Sequence, residues 1–140
     1  MTSIVAIVLN LALATGQDSG QVPASGPIPE AGHSTIGYRN VAEALEALRK
    51  KPGVTITESN GWIVVDESES GQSERALWSF SPSTYPAYPA VAKRTVHEKD
   101  GKVWIELAVE CEATKEACDQ MVREFQDLNE RAMQSSGSGQ

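Results

Sequence analysis

Residues 91–133 read VAKRTVHEKD-GKVWIELAVEC-EATKEACDQMVREFQDLNERAM. Val103, Ile105, Leu107, Val109 and Cys111 alternate with Trp104, Glu106, Ala108 and Glu110. A period of two is the mark of a half-buried β-strand. Asp100-Gly101 before it is turn chemistry, so Val91–Glu98 and Lys102–Cys111 form a hairpin. From Thr114 the period changes. Cys118, Met121, Val122, Phe125, Leu128, Ala132 and Met133 recur at three- and four-residue steps, the apolar stripe of an amphipathic helix. Strand and helix therefore make a layer pair, with the cysteines at the corner joining them.

Two hairpin registers are open. A two-residue turn sets His97 opposite Trp104 and Lys99 opposite Lys102. A three-residue Lys99-Asp100-Gly101 turn with a glycine bulge sets Arg94 opposite Glu106 and Val96 opposite Trp104. The bulged form is favoured here because it exchanges a repulsive pair for an attractive one. Register decides which face His97 occupies.

Upstream, Asn40 and Glu43 have the Asn-x-x-Glu spacing of a capping box, and Val41, Ala44, Leu45 and Leu48 form the buried stripe of a first helix. Lys50-Lys51 suit its negative end, and Pro52-Gly53 stop it. Val54–Glu58 and Trp62–Asp66 flank Ser59-Asn60-Gly61, a second hairpin signal. The later run is apolar on both faces and so is expected inside the sheet. Glu67–Glu74 reads as a solvated loop, and Ala76–Ser81 as a strand with Trp78 and Phe80 on one face. Residues 82–89, with three prolines around Tyr85 and Tyr88, form a stiff connection. The fold class is α+β: one domain, an antiparallel sheet of about five strands, and both helices on one face. The other face is expected to be open, bearing Trp104, Glu106 and Glu110.

The chain has 140 residues, a single-domain length, and a net charge of −7. That balance lacks the basic footprint nucleic acid or an anionic membrane would need. Ile4–Ala14 is an apolar run too short to span a bilayer, ending in Ala12-Leu13-Ala14, the A-x-A pattern of signal-peptidase sites. It departs from the usual leader in having no Lys or Arg in Met1-Thr2-Ser3. We therefore expect a signal peptide over residues 1–14 and a Pro/Gly/Ser-rich tether over 15–37. The folded domain follows over 38–133, with a flexible tail over 134–140. Removal of the leader leaves no stable membrane insertion. Export to the periplasm, or secretion, places Cys111 and Cys118, the only two cysteines, where a disulfide forms. Their spacing fits neither C-x-x-C nor a standard zinc pattern.

Chemistry-bearing residues are sparse. A nucleophile–His–acid set would be built on His97 with Ser83 and Asp66, but no serine lies in a Gly-x-Ser-x-Gly elbow. A His97–Glu98–Asp100 metal site would sit at a hairpin tip, where these read as solvated turn residues. No cofactor or metal is expected. Tyr85, Tyr88 and Trp104 are the candidate partner-binding residues, being of the types that anchor protein interfaces beside stiffening prolines.

Ile36-Gly37-Tyr38, Val41-Ala42-Glu43-Ala44-Leu45, Pro52-Gly53-Val54, Gly61-Trp62, Ala76–Phe80, Pro86–Ala90, Lys93-Arg94, Cys111, Ala117-Cys118-Asp119 and Leu128-Asn129-Glu130 together resemble a group of small exported proteobacterial proteins. The resemblance spans about residues 36–133 and implies a compartment and a fold unit rather than an activity. Some of that group carry a J-domain co-chaperone label. This chain lacks the His-Pro-Asp tripeptide of J-domains, and its strands contradict an all-helical one. The expected function is a non-enzymatic periplasmic module binding a protein partner in the cell envelope, of inhibitor, immunity or adaptor type. The alternatives are a small secreted hydrolase using His97 and a structural envelope component.

Overall fold

A computed structural model of the chain describes residues 36–68 and 74–137. The expected leader, nearly all of the tether and the last three residues lie outside them. The first helix, α1, spans Val41–Lys50. Asn40 caps it, its Oδ1 accepting from the Glu43 N–H at 2.8 Å. Glu43 reaches back one residue further than a capping box requires, accepting from the Arg39 N–H at 2.8 Å and from its guanidinium. That pairing holds the Glu43 carboxyl below its ordinary pKa.

Five strands follow: β1 Thr55–Ser59, β2 Trp62–Glu67, β3 Glu74–Phe80, β4 Ala90–Lys99 and β5 Lys102–Cys111. They form one antiparallel sheet in sequence order, so β1 and β5 are its edges and β2 is internal, as its two-sided apolar character requires. The closing helix, α2, spans Lys115–Gly137, with Met121, Phe125 and Asn129 buried, and so continues into the first residues of the expected flexible tail. Fold class, strand number and element order match the sequence reading.

The helices, however, do not share a face. Val41, Ala44 and Leu48 of α1 pack with Val65, Trp78, Phe80 and Val91. Met121 and Phe125 of α2 pack with Ala87, Ala90 and Ala92, flanked by Trp62, Leu107 and Val109. Ala90, Val91 and Ala92 are consecutive in β4, so the two clusters lie on opposite sides of the sheet. The result is three layers, helix–sheet–helix. Ile36, assigned to the tether from sequence, is buried at the edge of the α1 cluster.

The closing hairpin takes the two-residue turn, correcting the bulged register. Lys99 pairs with Lys102, His97 with Trp104, and Arg94 with Leu107. Asp100 and Gly101 both have positive φ, 53° and 73°, as do Asn60 and Gly61 at the first hairpin, 51° and 80°. Positive φ at both central positions is the type I′ turn that matches strand twist. The Lys99–Lys102 repulsion is exposed and amounts to a few tenths of a kcal/mol. Against it stands a whole face. This register lays Leu107, Val109 and Cys111 beside Ala90 and Ala92 as one apolar bed for α2, and a one-residue slip would turn it over.

The disulfide forms as expected. Cys111 and Cys118 are joined with Cα atoms 5.8 Å apart, tying the end of β5 to the first turns of α2.

Candidate functional site

The 81–89 connection is built by its own hydrogen bonds. Ala90 donates to Ser81 Oγ at 3.0 Å, Tyr85 N–H to Pro82 O at 3.0 Å, and Tyr88 N–H to Tyr85 O at 2.9 Å. Pro82, Pro86 and Pro89 fix φ between these turns, and Ala87 is buried under them. The two tyrosines leave the connection in different directions. Tyr85 turns toward α2: its ring meets Trp62 edge-on at 4.9 Å, and its hydroxyl donates to Glu124 Oε2 at 2.6 Å. Burial and the Glu124 carboxylate push its phenol far above the usual range. Tyr88 points away from that contact and stays half exposed.

Tyr88 forms one wall of a groove of about 610 Å³ on the α1 side. Val41 and Leu45 of α1, Ile63 of β2, Phe80 of β3 and Pro89 contribute to its apolar lining. Ser81, Ser83 and Glu112 add polar groups, and among the described residues Glu112 is the only charged one lining it. Gly61 helps to close one end. A Cβ there would stand 3.0 Å from Pro82 Cβ, so the first hairpin tip presses directly on the connection.

Trp104 lies at the other end of the molecule. It is seven residues from Cys111 along β5, about 23 Å at the rise of an extended strand. Its ring is stacked on His97, centroids 5.1 Å apart and planes 17° from parallel, and is 45% exposed. His97 in turn is held by Glu74 at Nδ1, 3.1 Å, and Glu106 at Nε2, 3.0 Å. Thus the structure does not bring the three candidate aromatics together: Tyr85 packs inward, while Tyr88 and Trp104 are exposed at opposite ends.

Nor does it assemble the His97–Ser83–Asp66 set. Ser83 lies beyond the far end of β4, and Asp66 is on the opposite sheet face, bound by Arg75 and Ser68. Arg75 and Ser68 hold the Asp66 carboxyl below its ordinary pKa. Glu98 also projects from the face opposite His97. Among the described residues no three His, Cys, Asp or Glu side chains form a metal-holding group.

Two other ionisable groups take unusual positions. Glu67 is partly buried, which raises its pKa, but the Lys51 ammonium and the Trp78 indole N–H at 2.8 Å outweigh burial and hold it below normal. Arg94 lies under α2 with its guanidinium carbon 5.7 Å from the Phe125 ring centre. Burial lowers its pKa.

Sequence reasoning missed the groove lining. The pattern makes Leu45 one more member of the α1 stripe, whereas Val41, Ala44 and Leu48 are buried and Leu45 is only partly covered. The available signal was its position one step off the 41–44–48 line. No protein-family model matches the chain, and comparison with curated proteins and with solved structures finds no similar one.

Proposed function

We propose that this chain is a non-enzymatic protein-binding module of the periplasm or cell exterior, engaging an extended partner segment in the groove between α1 and the 81–89 connection. The observation that carries this reading is the groove itself: about 610 Å³, mostly apolar, with Tyr88 half exposed on a segment stiffened by three prolines. Rigid aromatic side chains beside apolar pockets contribute most to interface affinity, since little entropy remains to be lost on binding. Glu112, the only charged group among the described lining residues, in a chain of net charge −7, selects a partner segment with a Lys, Arg or amino terminus next to apolar residues. The disulfide, the apolar leader-like run and the resemblance to small exported proteins support the compartment. An inhibitor, immunity or envelope-adaptor role accords with such a module.

Selection from a displayed peptide library tests the proposal. Enriched peptides should combine apolar residues with a cation, and should bind Tyr88→Ala or Leu45→Glu at least tenfold more weakly. Trp104→Ala should bind them normally. Failure to enrich any peptide, or binders indifferent to Tyr88→Ala and Leu45→Glu, would reject the groove as the binding site.

A further inference from the structure

The two edges of the sheet are built differently. β1 has only five residues and is separated from Pro52-Gly53 by Val54 alone. β5 has ten, contains no proline, and pairs with β4 through ten consecutive residues without a bulge. Edge strands of that kind offer a row of unpaired backbone groups to any matching strand. The Glu112 N–H donates to Pro89 O at 3.0 Å, which fixes the phase of the ladder. Even-numbered residues of β5 bond inward to β4, so Val103, Ile105 and Leu107 direct their N–H and C=O outward.

Neither helix covers the first half of this edge. α1 packs over β2 and β3, and α2 runs from Cys118 inward to place Phe125 against Trp62 of β2, 6.0 Å between ring centres. Val103 and Trp104 are left 43% and 45% exposed on the two faces.

We propose that β5 pairs antiparallel with β5 of a second copy of this chain, about a twofold axis at Trp104. This inference is independent of the groove and would stand if the groove were empty. The pairing follows from the residues. With the axis at Trp104, Lys102 of each copy faces Glu106 of the other, Val103 faces Ile105, and the two Trp104 side chains meet at a non-hydrogen-bonded position, where cross-strand side chains approach closest. Val103 and Ile105 exchange the outward hydrogen bonds.

Neighbouring registers are less favourable. An axis at Glu106 sets glutamate against glutamate, one at Ala108 sets Glu106 against Glu110 twice, one at Ile105 leaves Lys102 opposite Ala108, and one at Leu107 pairs Lys102 with Glu112 but needs the cysteine end of β5, which the disulfide ties to α2. The charges that guard this edge against general pairing thus become complementary in the register centred on Trp104. The contact is small beside a stable obligate interface, so the dimer is weak and concentration-dependent. Repulsion between two chains of net charge −7 is screened beyond about 8 Å at physiological salt.

Sedimentation equilibrium over a concentration series reaching about 1 mM tests this. Wild type should pass from monomer to dimer. Lys102→Glu, which makes both charged pairs repulsive, should raise the dissociation constant about tenfold or more. The double change Lys102→Glu/Glu106→Lys should restore it to within about threefold, because the pairs are re-formed with signs exchanged. Val103→Pro removes an N–H that the ladder with β4 does not use and should abolish the dimer, with circular dichroism showing the fold kept. A wild type monomeric throughout, a dimer indifferent to Lys102→Glu or Val103→Pro, or a double change no better than the single one would each overturn the proposal.

Discussion

Removing the cross-link by Cys111→Ala/Cys118→Ala should cost about 2.5 kcal/mol of stability. The two cysteines are seven positions apart, so the bridge closes an eight-residue loop. Loop-closure entropy for that length gives about 2.5 kcal/mol at 25 °C. The substitution also trims a partly buried Cys111 side chain packed beside the α2 cluster, which adds a smaller packing loss. Against this, α2 keeps Met121 and Phe125 in their bed and the Tyr85–Glu124 hydrogen bond. Burial of two such side chains is worth about 1.5–3 kcal/mol each, enough to keep the helix docked without the bridge. The variant should therefore fold, with a lower midpoint and an unchanged slope.

Urea denaturation followed by tryptophan fluorescence measures it. With a slope of about 1–3 kcal/mol per M, the midpoint should fall by about 1–2.5 M. Wild type treated with reductant separates the two contributions, since it breaks the bridge but keeps both sulfurs. If loop entropy is the cause, reduced wild type should lose nearly as much as the alanine pair. A reduced protein as stable as the oxidised one, beside a destabilised alanine pair, would refute the reasoning and assign the effect to packing.

The two hairpin glycines should differ. Gly101→Ala pays only for a left-handed backbone, about 1–2 kcal/mol, whereas Gly61→Ala must also move Pro82, 3.0 Å from the new Cβ; thermal melts of both variants should rank Gly61→Ala as the less stable. Tyr85→Phe removes the hydroxyl that donates to Glu124 at 2.6 Å and should cost about 0.5–1.5 kcal/mol in urea. Because burial and Glu124 raise this phenol well above a tyrosine's ordinary value of about 10, wild type and Tyr85→Phe should develop the same phenolate absorbance at pH 10; a smaller absorbance in the variant would contradict the buried placement. The Glu67 carboxyl, held below its ordinary value of 4.5 by Lys51 and Trp78, contributes stability that is complete above pH 4.5 and is lost as pH falls through its lowered folded value. Glu67→Gln should be less stable than wild type at neutral pH and lose less on acidification below 4.5, and parallel acid titration curves for the two proteins would exclude that contribution.

Much of the fold was legible because it depends on local rules. Asn40 before a three-residue-spaced Glu, Asn60-Gly61 and Asp100-Gly101 between β-rich runs, and the change of period after Cys111 each act within a few residues. The structure places an element or turn at every one of them. The groove was less visible. It depends on Leu45, Phe80 and Tyr88 being brought together by the 81–89 connection, and sequence separation of that size leaves no periodic trace. Tyr85 and Tyr88 illustrate the limit. Flanked alike by prolines, they differ only in direction, which the turns bonded at Pro82 O and Tyr85 O decide.

The hairpin register and the side taken by α2 are one question, and the charges answered neither. Comparing Arg94–Glu106 with Lys99–Lys102 weighs single exposed pairs, each worth tenths of a kcal/mol. The decisive quantity is which residues of β4 and β5 share a face. In the observed pairing Cys111, Val109 and Leu107 stand with Ala90 and Ala92, and Cys111 can reach Cys118 only if α2 lies on that side. The α1 cluster takes Val91, Trp78 and Phe80 on the other side, so the strands must be apolar on both faces near the cysteine end. They are: Ala90, Val91 and Ala92 are all buried, and only toward Lys99 and Lys102 does the hairpin become polar and exposed. Two helices covering one end of a long hairpin from both sides leave its other end as bare edge. The exposure of Val103 and Trp104 is thus a consequence of the layer order, and the same choice of side that closes the disulfide leaves that edge open to a second chain.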